Sequence, residues 1–395
     1  MKVLGIISEY NPFHNGHKYQ IEQARLKTGA DYVVIVMSGS FVQRGTAAIC
    51  DKWARAKMAL LGGADLIIEL PIIYCMQSAE YFAKGAVEIL NALGVVNYLS
   101  FGVENDNIRE LTSIAGVLLD EPQNYKTALN NALSTGISFP SAREIALKKY
   151  IGIDNILGTP NNILAIEYIK ALMRIVSKIE PVAVLRKGAM HDSIGDGNIT
   201  SASHIRSLLL ENGIDSIKKY VPEYVYEILE AEIEKGKAPV NINSLETAII
   251  TRLRTISHKE LSQIRDVTEG LENRIKQAAN VCTTLDEIIN FAKTKRYTHS
   301  RLRRIISNTL IGITKSTEDI SPQYIRVLGM NENGRAILKI AKETVTLPII
   351  IKTADAEENE MLNLDFTSTD IYTLMFPNTK LRTGMRDKLT SPKIL

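Results

Sequence analysis

Two histidines stand close together near the start of the chain, in the run His14-Asn15-Gly16-His17. Imidazoles aimed at the phosphates of a nucleotide can donate hydrogen bonds to oxygens that gain charge during an in-line displacement. Gly16 would let the backbone approach such a group closely. The run therefore indicates phosphate chemistry, with His14 and His17 as the candidate catalytic residues. The alternative is that both histidines only cap a helix and form local hydrogen bonds.

The residues around the histidines predict a strand, a turn and a helix. Val3 to Ile7 is a short apolar run, Asn11-Pro12 marks a turn, and residues 18–27 have the mixed pattern of a surface helix. The first turn of that helix would present unpaired N–H groups and a partial positive charge above the end of the strand. This context favours a triphosphate site over simple capping.

Further apolar runs alternate with helical stretches in the first half of the chain. A helix is expected at about residues 52–61, and strands are expected at 31–37, 64–70, 97–103 and 181–186. Buried strands separated by helices predict a parallel, doubly wound sheet whose ligands collect at its carboxyl edge. The predicted fold class is α/β, with an N-terminal Rossmann-like domain that has a parallel sheet (1–215) and a mainly helical C-terminal domain (216–395). Within the latter, residues 325–351 predict a small βαβ-like element.

Polar residues that follow the predicted strands should lie at the same edge. The loop from Ser38 to Gly45 carries Arg44 and suits a phosphate or a carboxylate, although a solvated loop has the same composition. Lys52 and Arg55 flank the single tryptophan and either face the site or are solvated charges beside a structural ring. Each of these segments has a functional and a structural interpretation.

The second half of the predicted sheet adds two more candidate segments. Asn161 and Asn162 stand at the start of a helix expected to run to about residue 178, where they either cap it or contact adenine or ribose. Arg186 and Lys187 follow the last strand and bring positive charge to the edge. Residues 200–206 open another helix with hydroxyl groups, an arrangement that binds anions.

Composition limits the class of protein. A chain of 395 residues with 45% hydrophobic and 23% charged residues is typical of a soluble globular protein of two or three domains. No apolar run is long enough to cross a membrane and no secretory signal is visible, so we expect a cytoplasmic protein. Three cysteines far apart fit neither a disulfide framework nor a zinc knuckle. A net charge of +3 implies nucleic acid only if basic residues cluster locally.

Such a basic cluster lies between Phe291 and Asn308, where cations surround Tyr297 and His299. Dense cations with an aromatic ring among them suit an RNA backbone and an unstacked base. A solvated helix face is the usual alternative, but the acidic residues that would balance it are missing here. The candidate RNA-binding residues are Lys293, Lys295, Arg296, Arg301, Arg303 and Arg304.

Longer strings of residues resemble one family across essentially the whole chain. They are E-Y-N-P-F-H-N-G-H (9–17), M-S-G-S-F-V-Q-R-G (37–45), K-W-A-R-A-K-M-A-L (52–60), P-N-N-I-L (160–164), T-E-G-L-E-N-R-I (268–275) and T-K-R-Y-T-H-S-R-L-R-R (294–304). Together they resemble the bacterial tRNA(Met) cytidine acetate ligases of the H-x-G-H nucleotidyltransferase superfamily. The superfamily's second signature, I-S-S-T-x-I-R, is matched at Ser201, Ser203, Ile205 and Arg206, whereas Thr200 and Ala202 depart from it.

This resemblance implies that residues 1–215 form a nucleotidyltransferase-like, ATP-binding catalytic domain and that the mainly helical residues 216–395 bind tRNA. It also implies an activity and a set of contacts. The family uses ATP and acetate to acetylate the N4 amine of the wobble cytidine in elongator tRNA(Met), and Mg²⁺ is expected with the ATP. The implied ATP contacts are Ile7, Ser8, Glu9, Tyr10, Asn11, Pro12, Phe13, His14, Asn15, Gly16, His17, Lys18, Tyr19, Gln20, Gly102, Asn162 and Arg186. For the last two, Asn161 and Lys187 are neighbouring alternatives.

The residues also agree with a mechanism that needs no protein nucleophile. Acetate would attack the α-phosphate, and the resulting acetyl-adenylate would meet the cytosine amine. The sequence contains no Cys-His or Ser-His-Asp arrangement and no carboxylate cluster for a protein-held metal. Two rival functions use parts of the same sequence: a small-molecule adenylyltransferase would need only the H-x-G-H loop, and a non-catalytic RNA-binding module only the basic cluster.

Overall fold

The computed structural model describes residues 1–137, 139–153, 157–187, 197–294, 296–357 and 359–395. Within these ranges the strands are β1 (Val3–Ser8), β2 (Tyr32–Ser38), β3 (Phe41–Val42), β4 (Thr46–Ala47), β5 (Leu66–Leu70), β6 (Tyr98–Val103), β7 (Glu180–Leu185), β8 (Ile325–Met330), β9 (Ile349–Ile350) and β10 (Lys393–Ile394). The helices of the first half are α1 (Asn15–Thr28), α2 (Lys52–Leu61), α3 (Ile72–Cys75), α4 (Ala79–Leu93), α5 (Ile108–Asp120), α6 (Gln123–Leu133), α7 (Phe139–Ile151) and α8 (Pro160–Arg174). Those of the second half are α9 (Ala202–Asn212), α10 (Glu223–Glu234), α11 (Glu246–Thr255), α12 (His258–Gln263), α13 (Leu271–Val281), α14 (Leu285–Ala292), α15 (His299–Ile311), α16 (Glu332–Ala341), α17 (Glu360–Thr373) and α18 (Arg386–Leu389).

The centre of the structure is a parallel sheet in the order β5-β2-β1-β6-β7. Residues 3–8 of β1 pair with 32–37 of β2, and residues 98–103 of β6 pair with 180–185 of β7. Counted along the chain, these five strands have the order 3-2-1-4-5 that is typical of one half of a Rossmann fold. The predicted α/β class and parallel sheet are therefore confirmed, and the predicted strands and the helix at 52–61 lie where expected, to within two residues.

Both faces of the sheet are covered, which explains why its strands read as continuous apolar runs. Along β1, Val3 and Ile7 belong to one buried cluster, whereas Leu4 and Ile6 belong to the other. The first cluster extends into α4, α5 and α8 and also into the C-terminal helices α11 and α13 to α15. The second contains α1, α2, α9 and α10. The helical half of the chain thus packs on the same cores as the sheet.

The predicted C-terminal βαβ-like element forms, but it is not a separate unit. β8 and β9 are parallel to each other around α16, as expected, and β10 pairs with the other end of β8. β8 then pairs antiparallel with β5 of the N-terminal sheet, with Leu66 opposite Met330. The sheet therefore continues across the predicted boundary at residue 215, because strands from both halves of the chain hydrogen-bond to one another.

Lys52 and Arg55 line neither cavity of the cleft described below and are not exposed to solvent. Both interpretations of these residues from the sequence are therefore wrong. The two side chains are fully buried. The Nζ of Lys52 lies 2.7 Å from Oε1 of Glu69 and 2.7 Å from Oδ1 of Asp387, and Nη1 of Arg326 lies 2.9 Å from Oε2 of Glu69. We call these four side chains, Lys52, Glu69, Arg326 and Asp387, the buried ion cluster. It joins α2, β5, β8 and α18. No described helix is long and apolar enough to span a membrane.

Candidate active site

A cleft opens at the carboxyl ends of β1 and β6. The chain leaves β1 toward β2 and leaves β6 toward β7, in opposite directions across the sheet. Such a reversal leaves a crevice above the strand ends, which is where open α/β sheets bind ligands. The cleft consists of two adjoining cavities of about 190 and 60 Å³, whose shared walls are His17, Gln20, Gly102 and Arg186.

The loop and first helix that carry the histidines form one wall of this cleft. Of the run predicted to contact ATP, the lining residues are Ile7, Ser8, Glu9, Tyr10, Asn11, His14, Gly16, His17, Tyr19 and Gln20. Phe13 is buried beneath the loop, Lys18 is exposed, and Pro12 lines neither cavity. The Nδ2 of Asn15 donates to the carbonyls of Asn198 and Lys219, so this side chain ties the loop to the segments before α9 and before α10.

His14 and His17 form a reciprocal cap at the start of α1. The backbone N–H of Gly16 donates to Nδ1 of His14 over 3.1 Å, and the backbone N–H of His14 donates to Nδ1 of His17 over 3.2 Å. The two rings stack with their centroids 3.7 Å apart. The local capping weighed against a phosphate site is thus present, and it is compatible with such a site. Because each Nδ1 accepts a hydrogen bond, each neutral ring carries its hydrogen on Nε2, as a donor.

The surroundings keep both rings uncharged. Burial lowers the pKa of His14 to about 3, with a further contribution from the positive charges of Arg186 and Arg206. Burial also lowers the pKa of His17 well below its usual value, and His14 and Arg186 lower it further. The imidazoles are therefore neutral donors at physiological pH, beside two arginines that supply the positive charge.

Aromatic packing fixes the orientation of the histidine pair. The ring centroid of Tyr10 lies 4.8 Å from that of His17, and the centroid of Phe13 lies 5.6 Å away. The ring of Phe13 in turn occupies the place that a side chain at Gly62 would need. At Gly16 an added Cβ would lie 2.9 Å from Cε1 of His14. A glycine is required there because the His14 ring folds back over the helix start.

The opposite wall is organised by Glu104, which the sequence interpretation missed. Its carboxylate accepts hydrogen bonds from Thr159 Oγ1 over 2.9 Å and from Asn161 Nδ2 over 2.5 Å, and lies 3.9 Å from Nε of Arg186. Nη1 of Arg186 also donates to Oδ1 of Asn161 over 3.4 Å. Glu104 directly follows the predicted strand 97–103, so its position at the carboxyl edge could have been read from the sequence.

The two neighbouring asparagines have different environments. Asn161 and Arg186 line the cleft. Asn162 is the ATP contact that the family resemblance implies. Its side chain is 2% exposed, and its Oδ1 accepts a hydrogen bond from the backbone N–H of Glu104 over 3.0 Å. Neither side chain caps α8. In this structure Asn161 occupies the cleft position that the prediction gave to Asn162, and Asn162 supports the Glu104 backbone.

The segment that matches the second superfamily signature closes the smaller cavity. Ser201 caps α9 by accepting from the N–H of His204, and Ile199, Thr200 and Ser201 line the cavity. The guanidinium of Arg206 donates to the Asn11 carbonyl over 2.8 Å and to Ser203 Oγ over 3.2 Å. Arg206 therefore holds the histidine loop from beneath. Lys187 lies 4.6 Å from the centroid of Tyr19 at the mouth of this cavity.

The loop from Ser38 to Gly45 forms a hairpin of β3 and β4 beside the larger cavity. Gln43 lines the cavity, and its backbone N–H donates to Oε1 of Glu9 over 2.8 Å. Arg44 at the tip is exposed. Arg55 supports the hairpin from inside, where Nη1 donates to the carbonyls of Glu9 over 2.7 Å and of Ser38 over 3.0 Å.

The far end of the larger cavity is apolar, a feature that sequence reasoning left unassigned. Its walls are Phe82 from α4, Phe101 from β6, and Leu164 and Tyr168 from α8. Burial raises the pKa of the Tyr168 hydroxyl, and the nearby Glu9 carboxylate raises it further, so this side chain remains neutral. The lobe has the chemistry to accept a base or a short acyl group. Its residues come from three elements, so no local pattern identifies them.

Some of the candidate RNA-binding side chains form hydrogen bonds or ion pairs within the protein, and others do not. Arg301 donates to the carbonyl of Asp266 over 2.8 Å, and Arg304 is 8% exposed and pairs with the Asp266 carboxylate over 3.0 Å. Arg296 pairs with Glu269 in solvent. Arg303 is half-buried and forms no hydrogen bond or ion pair with a described residue, and Lys293 is exposed. Lys295 lies outside the described residues.

Few acidic side chains lie at the cleft. Among the described residues, no three His, Cys, Asp or Glu side chains are grouped so that they could hold a metal ion. Glu9 lines the larger cavity, and the carboxylate of Glu104 accepts hydrogen bonds from Thr159 and Asn161.

The sheet order, the neutral imidazole pair at the start of α1 and the arginines facing it define a nucleotidyltransferase site. The family model for the HIGH nucleotidyl transferases matches residues 1–387. The chain belongs to this family and, within it, to the tRNA(Met) cytidine acetate ligases, and it is a ligase.

Several relatives match over nearly their complete chains. The tRNA(Met) cytidine acetate ligase of Thermoanaerobacter sp. strain X514 is 45% identical over 391 residues, covering 96% of this chain and 97% of the relative. The ligase of Clostridium perfringens is 38% identical and covers 100% of both chains. Crystal structures of Thermotoga maritima TmcAL, 35% identical over 100% of both chains, superpose with TM-scores of 0.92 for the form bound to α-thio ATP and 0.94 for the apo form.

Proposed function

We propose that this ligase activates acetate with ATP and transfers the acetyl group to N4 of the wobble cytidine in elongator tRNA(Met). The names of the relatives given above contain tRNA(Met), cytidine and acetate, and the similar Thermotoga protein was crystallised with an ATP analogue. The observation that carries the proposal is the pair of neutral imidazoles, His14 and His17, stacked at a helix start in the switch-point cleft. ATP and tRNA meet in the cytoplasm, where we expect the protein to act.

The first step is an in-line attack on the α-phosphorus of ATP. An acetate oxygen forms the new P–O bond, the bond to the β-phosphate oxygen breaks, and pyrophosphate leaves with the electron pair. The Nε2–H groups of His14 and His17 and the N-terminus of α1 donate to the phosphate oxygens as charge builds on them. Arg186, facing the pair across the cleft, neutralises the departing pyrophosphate, and Mg²⁺ is expected to accompany ATP.

The second step consumes the mixed anhydride. The N4 amine of cytosine attacks the acetyl carbonyl, the bond to the AMP oxygen breaks, and the nitrogen loses a proton. No protein nucleophile is required, since the anhydride is already activated. The cytidine must leave its stack to reach the cleft, which favours an anticodon loop over a helical stem as the substrate.

The decisive experiment incubates the protein with ATP, labelled acetate and total tRNA and follows the label. We expect label in RNA as an alkali-sensitive N4-acetyl group, together with AMP and pyrophosphate. Label that accumulates without tRNA as a released AMP conjugate would instead support a small-molecule adenylyltransferase. Unchanged transfer by the double variant His14→Ala, His17→Ala would contradict the role given to the histidines.

A further inference from the structure

A second cavity, separate from the ATP cleft, lies where the β3–β4 hairpin meets the C-terminal helices. It has a volume of about 290 Å³ and shares no lining residue with the cleft. Its floor is apolar, and polar groups stand on its walls. The lining residues are Gly45, Thr46, Asn241, Ile242, Asn243, Leu285, Asp286, Ile289, Arg303, Ile306 and Ser307.

Arg303 is the basic residue of this cavity and has no partner within it. Its guanidinium forms no hydrogen bond or ion pair with any described residue, although the side chain is half-buried. The neighbouring Arg301 and Arg304 are both satisfied by Asp266. The carboxylate of Asp286 lines the same cavity but lies beyond ion-pair distance of Arg303. The Arg303 guanidinium is therefore available to pair with an anion from outside the protein.

The β3–β4 hairpin contributes to the wall of this cavity and also to the wall of the ATP cleft. Gln43 lines the cleft and Gly45 lines the cavity, two residues along the same turn. Gly45 has φ +75°, and a side chain there would collide with the backbone of Arg304, so the hairpin packs directly on α15. A strand of nucleic acid that places one residue in the cleft would pass this hairpin.

We propose that this cavity binds an unstacked nucleotide of the RNA substrate, adjacent in sequence to the cytidine that enters the cleft. The inference rests on the proposed function. The base packs with its face against the apolar floor formed by Leu285, Ile289 and Ile306, and Arg303 binds the phosphate of the same nucleotide. The amides of Asn241 and Asn243 and the carboxylate of Asp286 stand at the walls, where they can pair with the donors and acceptors of a base edge.

Two variants test the phosphate and the base contacts separately. Arg303→Ala removes the cation, and Asn243→Trp places a large ring at an exposed position on the wall. Each should raise the KM for tRNA about tenfold, equivalent to one lost contact. Arg303→Ala should also reduce the slope of log KM against log salt by about 0.7. Lys339→Ala is the charge-matched control, since Lys339 is exposed on α16 and lines neither site.

Acetate-dependent exchange of pyrophosphate into ATP, measured without tRNA, keeps the two proposals apart. We expect both variants to retain wild-type exchange, which also shows that they are folded. The cavity assignment is wrong if Asn243→Trp leaves the KM for tRNA within twofold of the control, whatever Arg303→Ala does. If Arg303→Ala also has no effect, the phosphate contact is wrong as well. Absence of exchange in the wild-type protein would instead overturn the proposed function.

Discussion

At the scale of single residues, the site depends on keeping two histidines neutral and aligned. Stacked rings 3.7 Å apart could not both be charged in a buried site, and the flanking arginines oppose protonation further. In the proposed mechanism, the neutral Nε2–H groups of His14 and His17 donate to phosphate oxygens, and the permanently charged guanidinium of Arg186 neutralises the departing pyrophosphate.

The depressed histidine pKa values predict the pH dependence. Since the pKa of folded His14 is about 3, kcat/KM for ATP, which reports the free enzyme, should show no step near pH 6.5. Unfolded histidines take up protons below about pH 6.5 and the folded ones do not, so the free energy of unfolding should fall as the pH drops below that value. Urea titrations from pH 8 to 5 measure the slope. The variant His14→Asn, His17→Asn, which keeps a capping side chain, should show a shallower slope.

Gly16→Ala separates catalysis from stability. The added Cβ would lie 2.9 Å from Cε1 of His14 and push the ring out of its stack. We expect a loss of roughly 10²-fold in kcat, comparable to the loss of one aligned donor. The thermal midpoint should change little, because alanine is the better helix former at this position of α1. A variant with wild-type kcat would show that the stacked arrangement is not needed.

Glu104→Gln tests the positioning of the opposite wall. Without the charge, the amide would hold Asn161 and Arg186 less firmly, and we expect the KM for ATP to rise about tenfold with a smaller change in kcat. Asp106→Asn is the matched control, because Asp106 is exposed and its ion pair with Lys27 is long, at 4.0 Å, and lies in solvent. Equal KM values for both variants would mean that Glu104 does not position the ATP site.

At the scale of secondary structure elements, the β3–β4 hairpin links the sheet to the helical half. Ser307 Oγ donates to the Gly45 carbonyl over 2.9 Å, and α15 packs on the hairpin at this point. The loop that carries the histidines meets the other side of the same hairpin through Glu9 and Gln43. One hydrogen bond on each side therefore joins the hairpin to α15 and to the cleft.

Gly45→Ala should loosen this contact. Gly45 and Gly312 both have positive φ values, +75° and +89°, but only Gly45 faces another backbone segment, whereas nothing lies within 4 Å of a Cβ at Gly312. Gly312→Ala should lower the free energy of unfolding by roughly 1 kcal/mol from backbone strain alone. Gly45→Ala should lower it by roughly 1–3 kcal/mol more. Urea midpoints of the two variants measure the difference. Equal midpoints would contradict close packing of the hairpin on α15.

At the scale of the whole molecule, the buried ion cluster fastens the C-terminal segment to the sheet. Its four side chains are at most 3% exposed and come from residues as far apart as Lys52 and Asp387. Each charge is matched by two opposite charges. Such a cluster adds little net stability over apolar packing but is costly to break, since removing one member leaves a buried charge unpaired.

Arg326→Met measures that cost. We expect the free energy of unfolding to fall by about 3–5 kcal/mol, because Lys52 would then be the one cation of the cluster left to pair with both Glu69 and Asp387. Arg174→Met is the control, since Arg174 pairs with Glu80 over 3.0 Å with both side chains 45% exposed, and its loss should cost less than about 1 kcal/mol. The free energies of unfolding in urea provide the comparison. Similar values for both variants would show that the cluster is not needed for stability.

The sequence predicted the secondary structure elements better than the tertiary contacts between them. The apolar runs at β1, β2, β5, β6 and β7 and the histidine loop were recognisable because local pattern and burial agree there. Lys52, Arg55 and Arg304 were not recognisable as buried, since a charge is normally exposed and only tertiary partners reverse that. The antiparallel pairing of β8 with β5 was equally hidden, because it joins strands far apart in the chain.

The late strand β8 has a consequence for synthesis on the ribosome. About 255 residues separate β5 from β8, so a growing chain exposes the outer edge of β5 for roughly 13–50 s at 5–20 residues per second. β5 is fully buried in the finished protein, and an open strand edge is a template for association with other chains. We therefore expect the nascent polypeptide to be most prone to association until translation has delivered the strand that covers this edge.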